Sequence, residues 1–284
     1  MGTPVDELVE LLDLEQLEVN LFRGVSPPED RQRVFGGQVA GQALVAAGRT
    51  VSDTAVHSLH AYFLRPGDPR IPIVYEVERT RDGRSFTTRR VVAIQHGKAI
   101  FHLQASYHIR EEGFDHQAEM PSVAEPEGLL GWAEWAGPLK EKLGAWAERP
   151  RPIDVRYLSP PRWCDPSPRP PETFVWIRAD GKLPDDPVLH TCVVAYASDL
   201  TLLDVSLAPH GASWVDRTVM MASLDHAMWF HRPFRADEWL LYHQRSPSSY
   251  GGLGLSQGSI FTRDGQLAVS VVQEGLIRPL RRGD

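Results

Sequence analysis

The chain has 284 residues, 42% hydrophobic and 24% charged, with 30 Lys+Arg against 37 Asp+Glu for a net charge of -7. That is ordinary globular usage and excludes collagen, a wholly disordered chain and a coiled coil. The sign of the charge excludes a surface built to coat nucleic acid or anionic lipid, and the length suits one large domain or two of about 140 residues each.

The opening segment, MGTPVDELVELLDLEQLE, is acidic and sets Val5, Leu8, Val9 and Leu12 on one stripe. It predicts an amphipathic helix and is unlike a basic secretory leader. Asp6 stands where a myristoylation signal needs Ser or Thr, and the ending RRGD is no peroxisomal address. No run approaches about 18 apolar residues, so no membrane span and no stable membrane association are expected. Phe35 to Thr50, FGGQVAGQALVAAGRT, predicts a helix that is apolar or small nearly all round and therefore buried. Strand-like segments follow, among them HAYFLRP (His60 to Pro66) and Lys98 to Tyr107, with Asp82-Gly83 marking a tight turn.

From Glu111 to about Pro171 the chain turns Pro-rich and Trp-rich. Its prolines oppose regular structure, while Trp132, Trp135, Trp146 and Trp163 are too apolar for a free tether, so an ordered linker is expected. A short helix fits Leu129 to Trp146, and Ile153 to Leu158 and Thr173 to Ala179 read as strands. Val188 to Val205 predicts a second buried helix, and HAMWFHRP (His226 to Pro233) and Gln266 to Gln273 read as strands, with Asp264-Gly265 at a turn. The two cysteines, Cys164 and Cys192, are not a disulfide framework, and a reducing, cytoplasmic setting is expected.

HAYFLRP and HAMWFHRP form an internal repeat, offset by 166 residues at the first histidine and 167 at the proline, with one extra residue that would fit a β-bulge. The turn glycines Gly97 and Gly265 lie 168 apart. The sequence therefore predicts an α+β protein in which one buried helix wrapped by antiparallel sheet is made twice. Its expected parts are residues 1–111, a linker over 112–150, and residues 151–284.

GLSQG (Gly254 to Gly258) matches the G-x-S-x-G nucleophile elbow in form only. A hairpin rather than a helix follows it, and no histidine occurs after His243. None of the eleven histidines stands in a zinc motif; His226 and His231 are an odd number of residues apart, which puts them on opposite faces of a regular strand. No metal site and no cofactor are expected. Three polar residues stand out by their apolar surroundings. Asp199 has Ala195, Tyr196, Leu202 and Leu203 as helical neighbours, Gln273 ends the run LAVSVV, and Ser223 opens the repeated strand. Each is either a functional group or a hydrogen bonder at the end of an element. In an ungapped comparison of the halves Asp199 faces Val45 and Gln273 faces Ala105, as expected if a duplicated unit keeps one working site.

The strings LFRG (Leu21 to Gly24), VFGGQVAGQAL, VHSLHAYFLRPGD, RDGRSFTTRRV, SLDHAMWFHRPF, EWLLY and FTRDGQLAVSVVQEGLIR resemble the acyl-CoA thioesterase II family, the double hot-dog thioesterases, over nearly the whole chain except the linker. The resemblance implies two tandem hot-dog modules, the second carrying the catalytic residues. It implies hydrolysis of medium- to long-chain fatty acyl-CoA by a water held between Asp199, Ser223 and Gln273. The middle family position is more commonly Thr; Ser223 keeps the hydroxyl and loses the methyl that stiffens the rotamer. A backbone N–H at a buried helix N-terminus would suit the oxyanion. Arg79, Arg81, Arg84, Arg89 and Arg90 are either the basic cluster that meets the CoA phosphates or a solvated strand face, and His57 either supports the site or is structural. Open sheet edges and the family suggest a homodimer or larger assembly. The competing readings are a non-catalytic acyl-CoA binding protein, which would lack the polar triad, and a hot-dog hydratase or dehydratase, which would need an acid paired with a histidine.

Overall fold

The structure, a computed structural model, describes residues 2–27, 32–216 and 218–280. Helix α1 (Pro4–Leu12) begins behind a capping box, Thr3 Oγ1 accepting from the Asp6 N–H while the Asp6 carboxylate accepts from the Thr3 N–H, and buries Val5, Leu8 and Leu12. The first half continues as β1 (Glu15–Glu18), β2 (Leu21–Gly24), α2 (Gly36–Gly48), β3 (Ala55–Phe63), β4 (Ile73–Asp82), β5 (Phe86–Gln95) and β6 (Lys98–His108). After the linker helices α3 (Trp132–Ala136) and α4 (Lys140–Leu143) come β7 (Ile153–Tyr157), β8 (Glu172–Ala179), α5 (Pro187–Ser198), β9 (Val219–Ser223), β10 (Asp225–Phe230), β11 (Leu240–Tyr250), β12 (Leu253–Thr262) and β13 (Leu267–Pro279).

The thirteen strands among the described residues belong to one antiparallel sheet ordered β1-β2-β4-β5-β6-β3-β10-β13-β12-β11-β8-β7, with β9 added to β13. Read outward from the middle, β3-β6-β5-β4-β2-β1 is matched by β10-β13-β12-β11-β8-β7. The fold is thus the expected double hot-dog, and the two repeated strings are its central strands, paired with each other at His226–Ala61 and Met228–Leu59.

Strand register corrects the expected bulge. His60 pairs with Gln104 on β6, and Ala227 pairs with Val272 on β13. With the turn glycines superposed, His60 therefore corresponds to Ala227, and Leu59 to His226. β10 runs without a register shift on either side. The reason is the two-residue side-chain period: Leu59 and His226 are both buried, and so are Ala61 and Met228. Aligning the two histidines would have turned one strand inside out.

Helices α2 and α5 pack against each other inside the sheet, with Gly37 to Ala47 of α2 buried without interruption. The stretch Pro187–His210 is long and apolar enough to cross a bilayer, against the expectation from composition. Its place in the core accounts for that character. It is also not one helix: α5 ends at Ser198, Asp199 is its C-cap, and a 3₁₀ helix follows at Leu203–His210. Ser198 Oγ donates back to the Ala195 carbonyl, a local bond that competes with helix continuation. By cap position Asp199 corresponds to Arg49, the C-cap of α2, rather than to Val45.

The single helix expected at Leu129 to Trp146 is instead broken into α3, α4 and 3₁₀ turns at Gly137–Leu139 and Gly144–Ala147, with a further 3₁₀ turn at Pro126–Gly128 ahead of it. Pro138 removes a donor and Gly144 takes φ +57°, a conformation glycine adopts without strain. The linker still has a core of its own. Trp132 lies 4.4 Å from Trp146 and 4.6 Å from Trp163, and the Arg151 guanidinium sits 4.1 Å from the rings of both Trp132 and Trp146.

Candidate active site

The C-cap position puts the Asp199 carboxylate at the mouth of the α5 helix end, facing the start of α2. Asp199 Oδ1 accepts from Gln273 Nε2 at 2.6 Å and from Ser223 Oγ at 3.2 Å. Ser223 ends β9 and Gln273 lies in β13, the strand β9 pairs with, so the sheet itself fixes the spacing of the two donors. The third donor is the Gly37 N–H in the first turn of α2. Phe35, the N-cap of α2, offers no side-chain acceptor to the first-turn amides, which leaves them for the carboxylate at the positive end of the helix.

Glycine is required at this junction. A Cβ on Gly36 would lie 2.7 Å from Asp199 Oδ2, and one on Gly37 only 2.3 Å from the Tyr196 carbonyl. Burial raises the Asp199 carboxyl to about 6, against the hydrogen bonds from Gln273, Ser223 and the Gly37 N–H and the charge of Arg33, which all favour the anion. A carboxylate so held is ionised at neutral pH yet basic enough to take a proton.

Asp199 and Ser223 line a cavity of about 700 Å³ whose walls include Phe35, Val39, Phe63, Phe101 and Leu224 and whose lining includes Arg33 and Arg65. A second chamber of about 530 Å³, lined by Leu8, Leu11, Ile153, Trp132, Trp163 and Trp214 among others, shares Phe35, Trp146, Leu200, Thr201, Asp204 and Trp214 with the first. The two are neighbours across a thin wall. In that wall Asp204 is pushed up to about 7 by burial, against a hydrogen bond from Trp214 and the charge of Arg162.

Of the residues singled out in the sequence, Asp199, Ser223 and Gln273 are brought together. The five arginines are not in the lining of the Asp199 cavity. Arg89 is buried, its Nε donating to Thr50 Oγ1 and its Nη2 to Asp82; Arg90 pairs with Glu78, and Arg79 donates to Asn20. Arg81 and Arg84 share the β4–β5 hairpin with them. His57 bonds Ser106 Oγ at 2.8 Å, and burial holds its ring below the usual histidine value. Among the described residues no group of three His, Cys, Asp or Glu side chains is placed to hold a metal ion. GLSQG lies within β12, not on an elbow. Sequence reading passed over Arg33, Arg65 and the Gly36-Gly37 pair. The available signal for the pair was the doublet itself, opening a helix directly after a bulky apolar residue that cannot cap it.

The fold and this site define a double hot-dog thioester hydrolase. A profile described as "Acyl-CoA thioesterase" matches residues 169–276, and one described as "Acyl-CoA thioesterase N-terminal domain" matches residues 26–108. The chain is 44% identical to acyl-coenzyme A thioesterase 8 of Rattus norvegicus over 95% of this chain and 88% of that one. It is 40% identical to acyl-CoA thioesterase 2 of Haemophilus influenzae, over 98% and 99%. The crystal structure of an acyl-CoA thioesterase II from Mycobacterium marinum superposes with a TM-score of 0.80 at 49% identity, covering 96% of this chain and 98% of that one. The chain belongs to the acyl-CoA thioesterase family.

Adding one methyl at the α2 start tests the junction. Gly36→Ala is expected to lower kcat about tenfold or more with a smaller effect on the melting temperature, because the new Cβ would fall 2.7 Å from Asp199 Oδ2 and 2.9 Å from the half-buried Phe63 ring, so that both the carboxylate and the ring must shift. Thiol release and thermal denaturation on the same preparation check this.

Proposed function

We propose that the protein hydrolyses medium- to long-chain fatty acyl-CoA to free acid and CoA, with Asp199 as general base for a water that Ser223 and Gln273 help to hold. The observation that carries this is the Asp199 carboxylate held by Gln273 Nε2, Ser223 Oγ and the Gly37 N–H in the lining of a largely apolar cavity. Water oxygen attacks the thioester carbonyl carbon as its proton passes to Asp199. The resulting oxyanion lies near the positive end of α2. The C–S bond then breaks, CoA departs as the thiolate and takes up a proton, and the acid remains. No acyl-enzyme is needed, since an oriented water meets an electrophilic carbonyl directly.

One feature supports the longer chains and another the CoA moiety. The Trp-lined chamber beyond Phe35, Leu200 and Thr201 offers apolar space for an acyl tail, and Arg33 and Arg65 on the other cavity offer positive charge for the CoA phosphates. The hydratase reading has no such support. His226 Nε2 is engaged by Ser198 Oγ at 2.8 Å, burial lowers the ring to about 4, and it is not in the cavity lining. Asp225 is engaged by the Glu274 N–H. A purely binding protein would lack the polar triad, and here Ser223 and Gln273 both donate to Asp199. We place the enzyme in the cytoplasm as a homodimer or larger assembly, a reading supported by free Cys164 and Cys192 and by the exposed outer strand β1.

Release of CoA thiol from a ladder of acyl-CoA lengths tests the proposal; no release at any length overturns it. Leu11→Trp, which fills part of the second chamber, is expected to cut kcat/KM for the longest acyl chains about tenfold and leave the shortest within twofold. A uniform loss across the ladder would separate the chamber from chain-length selection.

A further inference from the structure

Four buried polar side chains stand side by side on the inner face of four neighbouring strands beneath the end of α5. They are His226 on β10, Gln273 on β13, Ser256 on β12 and Gln244 on β11, none more than 1% exposed. Ser256 is directly opposite Gln273, and Gln244 is opposite Gly258, two residues along β12 on the same face as Ser256. Three of the four are anchored by one atom to residues 198, 199 and 201, within about one turn at the end of α5. His226 Nε2 meets Ser198 Oγ at 2.8 Å, Gln273 Nε2 donates to Asp199 at 2.6 Å, and Gln244 Nε2 donates to Thr201 Oγ1 at 2.5 Å.

The remaining polar atom of each, His226 Nδ1, Gln273 Oε1, Ser256 Oγ and Gln244 Oε1, is buried with no hydrogen-bond partner among the described residues. Ser198 Oγ gives its own hydrogen to the Ala195 carbonyl at 2.9 Å, so it accepts from His226 Nε2–H, and Nδ1 is left as a bare acceptor. The row is therefore three acceptors and one hydroxyl. Each such orphan leaves the loss of its hydration uncompensated, and four in a line point to a shared donor-rich ligand.

The other half of the molecule shows the same place without that need. The corresponding positions are Leu59, Ala105, Arg89 and Val77: Arg89 is opposite Ala105 as Ser256 is opposite Gln273, and Val77 is opposite Val91 as Gln244 is opposite Gly258. Arg89 fills the space alone and spends every guanidinium nitrogen, on Thr50 Oγ1 and carbonyl, Asp82 and the carbonyls of Arg81 and Thr88. In the second half a serine stands in its place. The glycines around it are required by close neighbours: a Cβ on Gly258 would fall 2.2 Å from the ring of Tyr242, whose hydroxyl donates to the Ser198 carbonyl at 3.1 Å. The unused GLSQG string thus reads as a serine framed by the glycines its neighbours require.

We infer that Ser256, Gln244, Gln273 and His226 bind ordered water, and that this water holds and replenishes the nucleophile beside Asp199 from inside the protein, behind the lining of both chambers, to which none of the four belongs. The inference rests on the hydrolase reading. It makes Ser256 and Gln244 positioning residues.

The test combines a crystal structure of the protein at a resolution that shows ordered water with partition kinetics on Ser256→Ala and Gln244→Leu. Water within hydrogen-bond reach of Ser256 Oγ and Gln273 Oε1 is expected. In Ser256→Ala, kcat for hydrolysis is expected to fall about tenfold with KM within twofold. With hydroxylamine as a competing nucleophile supplied from solvent, the hydroxamate-to-acid ratio is expected to rise severalfold in both variants, because only the water is bound by the row. A lower rate with an unchanged ratio, or crystals with no water at the row, overturns the inference. A wild type that releases no CoA overturns the hydrolase reading instead, and the crystallographic result then still decides whether the row binds water.

Discussion

Asp199→Asn is expected to lower kcat by about 10² or more with KM little changed, the pattern of a lost general base rather than lost binding. The amide oxygen can still accept from Gln273 and Ser223, so two of the three hydrogen bonds to this side chain survive while the proton acceptor is lost. The same substitution has an opposite effect on stability. Burial raises the native carboxyl from 3.8 to about 6. The stability this group contributes is therefore fully present below its unfolded value and is lost as pH rises through about 6. Above that pH the native state carries an ionised buried carboxylate at a cost of about 1–3 kcal/mol. At pH 8, well above that transition, Asp199→Asn should be the more stable protein, and its advantage should vanish toward pH 4, where the wild-type group is protonated. Urea denaturation at both pH values reads this directly. An inactive variant that is also less stable at the higher pH would mean a damaged fold rather than a missing base.

The chain's organisation was readable where one local rule dominates. Period-two alternation and the Gly97 and Gly265 turns mark the strands, and the small-residue run after Gly36 marks a helix that only the core can hold. What could not be read is long-range. That β3 and β10 are partners, and the step by which Leu59 rather than His60 matches His226, depend on which side chains meet the core. The end of α5 escaped because the apolar run continues into the 3₁₀ helix, with Ser198 and Asp199 as the only punctuation. Charge clustering drew attention to Arg89, whereas Thr50 and Asp82, brought to it by the fold, make it structural. Polar residues stranded in apolar runs were the better guide, since a buried carboxylate or amide is costly without partners, and it was these that came together at Asp199.

Gln273→Ala should move the pH dependence of catalysis as well as its rate. The base must be ionised, so wild-type kcat is expected to rise with pH through a midpoint near the Asp199 value of about 6. Gln273 Nε2 gives the carboxylate its shortest hydrogen bond, 2.6 Å against 3.2 Å from Ser223 Oγ. A donor to the charged form lowers the pKa, and a hydrogen bond to a charged group contributes about 1.5–3 kcal/mol. Removing it should shift the acid limb upward by about one pH unit or more, since one unit corresponds to about 1.4 kcal/mol. The limiting kcat at high pH should also fall, by about 10–100-fold, because the amide that orients the water and the carboxylate is gone. Ser223→Ala, which removes the longer bond, should shift the limb in the same direction by less. Rate profiles of the three proteins on one acyl-CoA between pH 5 and 9, spanning the wild-type midpoint of about 6, order the two donors. An acid limb that stays put in Gln273→Ala would place the titrating base elsewhere than Asp199, because no other carboxylate among the described residues accepts a hydrogen bond from Gln273.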